Sequence, residues 1–454
     1  MYGYLLTHLL CYGGALVAIF NPLVGVCLYW AFDIIRPQYM FSWSGTSGPF
    51  SLIIATATLI GWAAKGFGSW RLGKGSFIFS LLIFSSIWTL LSTIVAPNKE
   101  IANAYLGWDL KRLLMFTVAI TTATSVPRLI AMASVIVASA GYVAFELNLQ
   151  YLRGYNEAQF NGYGGMDNNC LAISMIACLA VAVFLGLHLR SFWLKWLSFA
   201  AAAFIGHTVL MTFSRGGLIG LIVSASVAFI VVPKRPRNLV AIAAAIVVGV
   251  MLTGPELRDR FMSSFVHTED LDESAGSRLQ LWKNCFTVMR EYPLLGAGPD
   301  HFPLISEEFG WPEGKEAHSL WLQLGAEVGI PGLVVLLLFY FMTIWRMWSY
   351  CRVVPTNEDE RWTQTARAMI VTSLAGFMTS AQFVSLEGLE TPLYVAAIAL
   401  GTLRLVTARQ VADSTVLNPA PVTVRSMPSA AGAGFSVPSP APAGSTSRPL
   451  WPHQ

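Results

Sequence analysis

Three residues in this chain stand where chemistry at a membrane surface would need them. His318 lies in Ala317-His318-Ser319, where a polar segment meets a long apolar run. An imidazole titrates near pH ~6.5, which suits a general base. Gly325, Gly329 and Gly332 follow seven, eleven and fourteen residues later. On one continuous helix they share the face of His318, a small-residue stripe that lets another helix approach closely. Pro331 is expected to bend that helix, and the spacing predicts a cleft with His318 at its rim. Taken alone, the pattern fits equally an interfacial histidine capped by solvent. Arg215, in Thr212-Phe213-Ser214-Arg215-Gly216-Gly217, is the sole charge between Lys195 and Lys234. A charge near hydrocarbon is costly and marks function by default, and flanking glycines let a ligand come close. The alternative is a snorkelling anchor. Arg278, in Gly276-Ser277-Arg278-Leu279, is expected to open an amphipathic helix whose free amides favour anions. A pair with Asp272 or Glu273 is its bland alternative.

Weaker candidates surround these three. Arg258, Arg260 and Arg290 belong to the same polar segment, Glu327 lies within the following apolar run, and Glu387 and Glu390 stand in a late turn. Any of these acids would be able to orient His318 or an arginine. Asp270-Leu271-Asp272 matches the Asp-x-Asp pattern of metal-dependent sugar transferases, but within a run of acids it reads as solvated loop. His207 reads as a helix-packing residue. The sequence holds no P-loop, no Gly-x-Ser-x-Gly and no Cys/His zinc set.

The elements that must position these groups are set by composition. Of 454 residues, 55% are hydrophobic and only 12% charged, half the charge of a soluble protein, roughly 25%. That excludes a water-soluble globule. A net charge of +4 is too small to suggest nucleic-acid binding. Six cysteines show neither metal spacing nor a disulfide framework. The fold class is all-α, a polytopic integral membrane protein with about 12 transmembrane helices. Apolar runs at about 50–66, 76–96, 110–124, 127–147, 169–187, 192–213, 216–233, 238–254, 319–347, 365–386 and 391–408 supply them. Two short runs, Leu5–Phe20 and Pro22 to about Ile35, precede these as a thin hairpin or one broken crossing. The first lacks a basic lead-in and a cleavage site, so it is expected to stay in the membrane. Basic clusters around Lys65–Lys74, Lys234–Arg237, Arg346–Arg367 and Arg404–Arg409 place those loops in the cytoplasm, with Lys99, Lys111 and Arg112 as exceptions. The resulting domains are residues 1–254 (amino-terminal transmembrane helices), 255–318 (one large periplasmic loop containing helices) and 319–410 (carboxy-terminal transmembrane helices). A Pro-rich disordered cytoplasmic tail follows at 411–454.

From Ser277 to Gly332 the chain resembles the O-antigen ligase and polymerase superfamily of bacterial envelopes. The matching pieces are Ser277-Arg278-Leu279-x-Leu281-Trp282, Pro293-Leu294-Leu295-Gly296-Ala297-Gly298-Pro299, and His318-Ser319 followed by nine residues, Gly329, two residues and Gly332. Ser214-Arg215-Gly216-Gly217 is similar to the preceding arginine motif of the family. Gly164-Gly165-Met166-Asp167-Asn168-Asn169 resembles its smaller-loop motif, which adds Asp167 and Asn168 as supporting residues. Asn21-Pro22 through Pro37 looks like the amino terminus of a ligase subgroup. The resemblance implies a glycosyltransferase of the bacterial inner membrane, multi-pass, with its active site facing the periplasm. The donor would be an undecaprenyl-diphosphate-linked glycan and the acceptor the lipid A core. His318 would be the base and Arg215 and Arg278 the diphosphate ligands, and the lipid tail would lie beside the glycine stripe. No metal or other cofactor is called for, because the arginines stabilise the leaving group. A polymerase or a protein O-oligosaccharyltransferase would share the donor chemistry. A transporter would instead need inverted repeats and charges near the midplane.

Overall fold

The computed structural model describes residues 2–45, 47–232, 269–349, 355, 357–385, 388–417 and 439. The expected run at 238–254 and the basic cluster at 234–237 lie outside them. Residues 1–410 form one compact unit, and 411–454 form a second, described only at 411–417 and 439.

Among the described residues every regular element is helical. The longer helices are α1 (Tyr2–Phe20), α2 (Pro22–Ile35), α3 (Phe50–Ala64), α4 (Ser76–Val95), α5 (Lys99–Thr122), α6 (Val126–Leu152), α7 (Asn168–His188), α8 (Phe192–Met211), α9 (Arg215–Val231), α10 (Glu269–Glu291), α11 (Leu320–Trp348), α12 (Glu358–Ser380) and α13 (Thr391–Leu417). Their starts follow local chemistry. Pro22 opens α2, and the side chains of Asn98, Asp167, Ser214, Ser319 and Asn357 each accept a backbone N–H at a helix start.

Seven of the described helices are long and apolar enough to cross a membrane, and α2, α3 and α9 are shorter apolar helices. This is the architecture of a multi-pass membrane protein. The first two runs form a hairpin: Gly14 faces Leu28, and Gly25 faces Ala18 and Thr58. The run expected at 110–124 is the inner half of a 24-residue helix. Lys111 and Arg112 therefore sit in mid-helix, Lys111 over the Tyr29 ring and Arg112 3.7 Å from Asp109. α7 is the hub, the most enclosed candidate span, packed by α6, α8, α9 and α12.

α11 departs most from expectation. Gly329 has φ 79° and ψ 169°, a region essentially open to glycine alone. In an unbroken helix positions 321 and 340 stand about 28 Å apart, yet the Trp321 and Tyr340 ring centroids are 6.1 Å apart. The chain turns back at Gly329, and segment 320–328 lies against 330–348. Pro331 does not kink a rod. It falls in the first turn of the second segment, where its missing N–H costs nothing. The second segment alone, about 28 Å long, is sufficient to span a bilayer.

Candidate functional site

The turn at Gly329 is fastened by the Pro293–Gly298 strip. Ala297 N–H donates to Ala326 O at 2.9 Å, Gly298 N–H to Glu327 O at 2.9 Å, and Ile330 N–H to Pro293 O at 3.0 Å. From α4, Trp88 Nε1 donates to both Leu294 O and Val328 O at 3.1 Å, and Ser92 Oγ to Leu295 O at 2.6 Å. A Cβ at Gly296 would collide with the Glu327 carbonyl, and one at Gly329 with the Leu294 carbonyl. Met289 and Leu333 fill the space over Gly325, and Trp88 and Val328 the space over Gly332. The glycine stripe is thus a backbone dock and not an open cleft.

Fully buried Glu327 serves the same scaffold: its carboxylate accepts from Asp300 N at 2.9 Å and Phe302 N at 3.1 Å. The charge of a carboxylate inside the fold is balanced here by backbone amides, an arrangement typical of a structural anchor.

His318 precedes the helix and does not share its glycine face. Its φ is +52°, left-handed, and Ser319 caps the helix after it. Both neighbours are held: Ala317 N–H donates to Gln323 Oε1 at 3.0 Å and Ser319 N–H to Ser385 Oγ at 3.3 Å. A strained non-glycine residue between two fixed neighbours is aimed by its surroundings. Burial holds the His318 pKa below its ordinary value, helped by the Arg278 and Lys315 charges and opposed by Asp167. The ring is therefore neutral at neutral pH, the state a base requires.

Arg215 is the exposed first residue of α9. The turn before it is braced from α7: Asn168 Nδ2 donates to Thr212 O at 3.0 Å, and Ser214 Oγ donates to Asn169 Oδ1 at 2.7 Å. Phe213, at φ +53°, turns the chain into the helix. The expectation that Gly216 and Gly217 leave room for a ligand fails. A Cβ at Gly216 would sit 2.6 Å from Phe383, and one at Gly217 2.7 Å from Ala172. These glycines let α9 pack close.

Arg278 does not open its helix. α10 begins at Glu269, so Arg278 lies in mid-helix, where the amides are already bonded. Free helix-start amides stand instead at the start of α9, which Arg215 opens. The inner face of α10, Leu281, Cys285, Val288 and Met289, packs with Ala297, Phe302, Ala317 and Ala326 and so fixes the helix against α11. Burial lowers the Arg278 pKa from its ordinary value, as does the Arg215 charge, while Asp167 opposes the shift. A guanidinium still carries its proton under these conditions. Two guanidiniums that repel each other make a place for a multiply charged anion.

The fold thus gathers Arg215, Arg278, His318 and Asp167 from four separated stretches. Asn168 serves as a brace. Arg290, twelve residues along α10 from Arg278, is about 18 Å away and exposed. Arg258, Arg260 and Glu387 lie outside the described residues. Asp270 and Asp272 lie in the first turn of α10. Glu390 accepts from Tyr29 at 3.2 Å and Tyr394 at 2.9 Å, so it tethers α2 to α13. His207 bonds Asn148 across the α6–α8 interface. Lys315 was not singled out by sequence. Three residues before His318 in a polar stretch, it carries no periodic signal, and only the folded loop brings its charge to the imidazole.

Residues 200–337 match the family described as O-antigen ligase, a stretch that contains Arg215, Arg278 and His318. Residues 2–194 match a family of unknown function, a stretch that contains Asp167. No curated protein matches the chain.

Proposed function

Because the chain belongs to the O-antigen ligase and polymerase superfamily, we propose that it is a glycosyltransferase that ligates O-antigen polysaccharide from undecaprenyl diphosphate onto the lipid A core. The reading includes about 12 crossings, a bacterial inner-membrane location and a site on the periplasmic face within the 255–318 segment and its neighbours. One observation carries it: Arg215 and Arg278 act on each other beside a histidine kept neutral. The guanidiniums would hold the diphosphate, which must leave as an anion. His318 would take the proton from the acceptor hydroxyl, a nucleophile too weak without a base. The oxygen then bonds to the anomeric carbon as its bond to the phosphate oxygen breaks. The electron pair departs on the lipid diphosphate, the configuration inverts, and His318 returns its proton to solvent.

The test is transfer in vitro with purified full-length protein and a glycan-diphospholipid donor. Lipid A core, a carrier-linked repeat and a protein rich in Ser and Thr are offered side by side. Polymer on the core supports ligation. Extension of the repeat makes the protein a polymerase, and label on the polypeptide makes it a protein O-oligosaccharyltransferase.

A further inference from the structure

The amino-terminal hairpin is tied to the loop that carries Asp167, and one residue of that joint, Arg36, is not used by the proposed reaction. Arg36 ends α2 at φ 45° and ψ 68°, left-handed, and is followed at once by the short helix Pro37–Met40. A non-glycine residue avoids this conformation unless its surroundings impose it. The guanidinium points in two directions: Nη1 donates to Gly164 O and Nε donates to Asp33 O at 3.3 Å. Tyr163 Oη donates to Ile35 O, so the same joint is made twice. Tyr163 and Met166 exchange backbone bonds of 2.9 and 3.0 Å, closing a tight turn that transmits the anchor to the next residue, Asp167. Asp167 Oδ1 accepts from Cys170 N at 2.7 Å, and Asn168 and Asn169 then grip the turn that carries Arg215. A Cβ at Gly164 would lie 2.6 Å from Arg36 Cδ, so the loop and the arginine are fitted to each other.

The geometry assigns Arg36 as a positioning residue that clamps the 163–169 loop to the end of α2 and so sets where Asp167 stands against His318 and Arg278. The assignment rests on the reading of His318 as the base. Lysine is no substitute, because one ammonium does not reproduce a fork that binds Gly164 and Asp33 at once.

The experiment uses full-length protein, the glycan-diphospholipid donor and whichever acceptor the transfer assay identifies. Arg36→Gly keeps the left-handed backbone accessible and removes the guanidinium from both Gly164 and Asp33. It should lower kcat about tenfold with little change in donor KM or in thermal stability. The acid limb of its kcat profile should move to lower pH, the direction expected for Asp167→Asn, because Asp167 opposes the lowering of the His318 pKa. Arg36→Lys should not restore the wild-type limb. The Arg36→Gly/Asp167→Asn double variant should lose little beyond the worse single variant. Gly164→Ala should reproduce the shift from the other side of the contact. Wild-type kcat and limb in Arg36→Gly overturn the assignment, as does a limb that stays in place in Asp167→Asn. Multiplicative losses in the double variant also overturn it. Full transfer by His318→Ala would instead defeat the function reading, whatever Arg36 does.

Discussion

His318 accepts a proton only while uncharged, so the rate of transfer should rise with pH through its pKa. That pKa is held below 6.5 by burial, Arg278 and Lys315, and the acid limb of kcat belongs below that value. Arg278→Gln removes one cation that depresses it. The pKa then rises and the limb moves to higher pH, separately from the loss of amplitude. A limb that stays in place would show that another group titrates. His318→Ala should abolish transfer in protein that still folds and inserts, measured by gel-shift of the acceptor. At Arg215, Ala should cost about 100-fold in kcat, the scale of a lost anion-stabilising donor, and Lys distinctly less, since the charge remains. Equal losses from Ala and Lys would make the planar fork, and not the charge, the essential property.

At the scale of the element, the turn at Gly329 is the support on which the chain entering at His318 depends. Gly329→Ala adds strain of about 1–3 kcal/mol and drives a methyl into the Leu294 carbonyl. Glu327→Ala leaves the Asp300 and Phe302 amides without their acceptor, at about 3 kcal/mol or more. Both should lower the thermal inactivation midpoint. Glu327→Ala should leave the kcat profile of the surviving protein at its original pH, whereas a catalytic role for Glu327 would shift it. These two residues mark the limit of what was legible. Apolar runs gave most helices to within a few residues, because burial in lipid is read directly from composition. Asp167, Ser214 and Ser319 lie in short motifs of the sequence, but their capping of helices was not read there and is seen only in the fold. The reversal at Gly329 and the docking of Pro293–Gly298 are backbone contacts between distant segments, and hydropathy is blind to them. Arg278 was placed at a helix start for a different, local reason: the acids at 269–273 look like loop, yet they belong to the helix Glu269–Glu291.

At the scale of the whole molecule, the two ends of the bundle differ in how they hold charge. At the end away from His318, basic residues crowd the connections after α3, α5 and α7. Arg128 donates to Thr122 O at 2.9 Å, Arg361 donates to His188 O, Arg404 donates to Ser69 O at 3.2 Å, and Arg190 pairs with Glu358. An excess of Arg and Lys in the loops at one end is the pattern that keeps that end in the cytoplasm. At the His318 end Arg278 and Lys315 act on the imidazole, Arg215 acts on Arg278, and Arg36 is held on Gly164 O. If the first end is cytoplasmic, the site must open outward, where a polymer delivered on a lipid carrier would meet its acceptor. Two exposed positions test this. Gly276 in α10 has open space where a Cβ would stand, and Ser191 sits in the turn between α7 and α8. In intact spheroplasts Gly276→Cys should react with a membrane-impermeant maleimide, and Ser191→Cys should react only after permeabilisation. The native cysteines at 11, 170, 178 and 285 are buried and Cys27 is half-buried, so both variants are made in a Cys27→Ser/Cys351→Ser background. Labelling of Ser191→Cys in intact cells would invert the molecule and turn His318 toward the cytoplasm, away from any periplasmic acceptor.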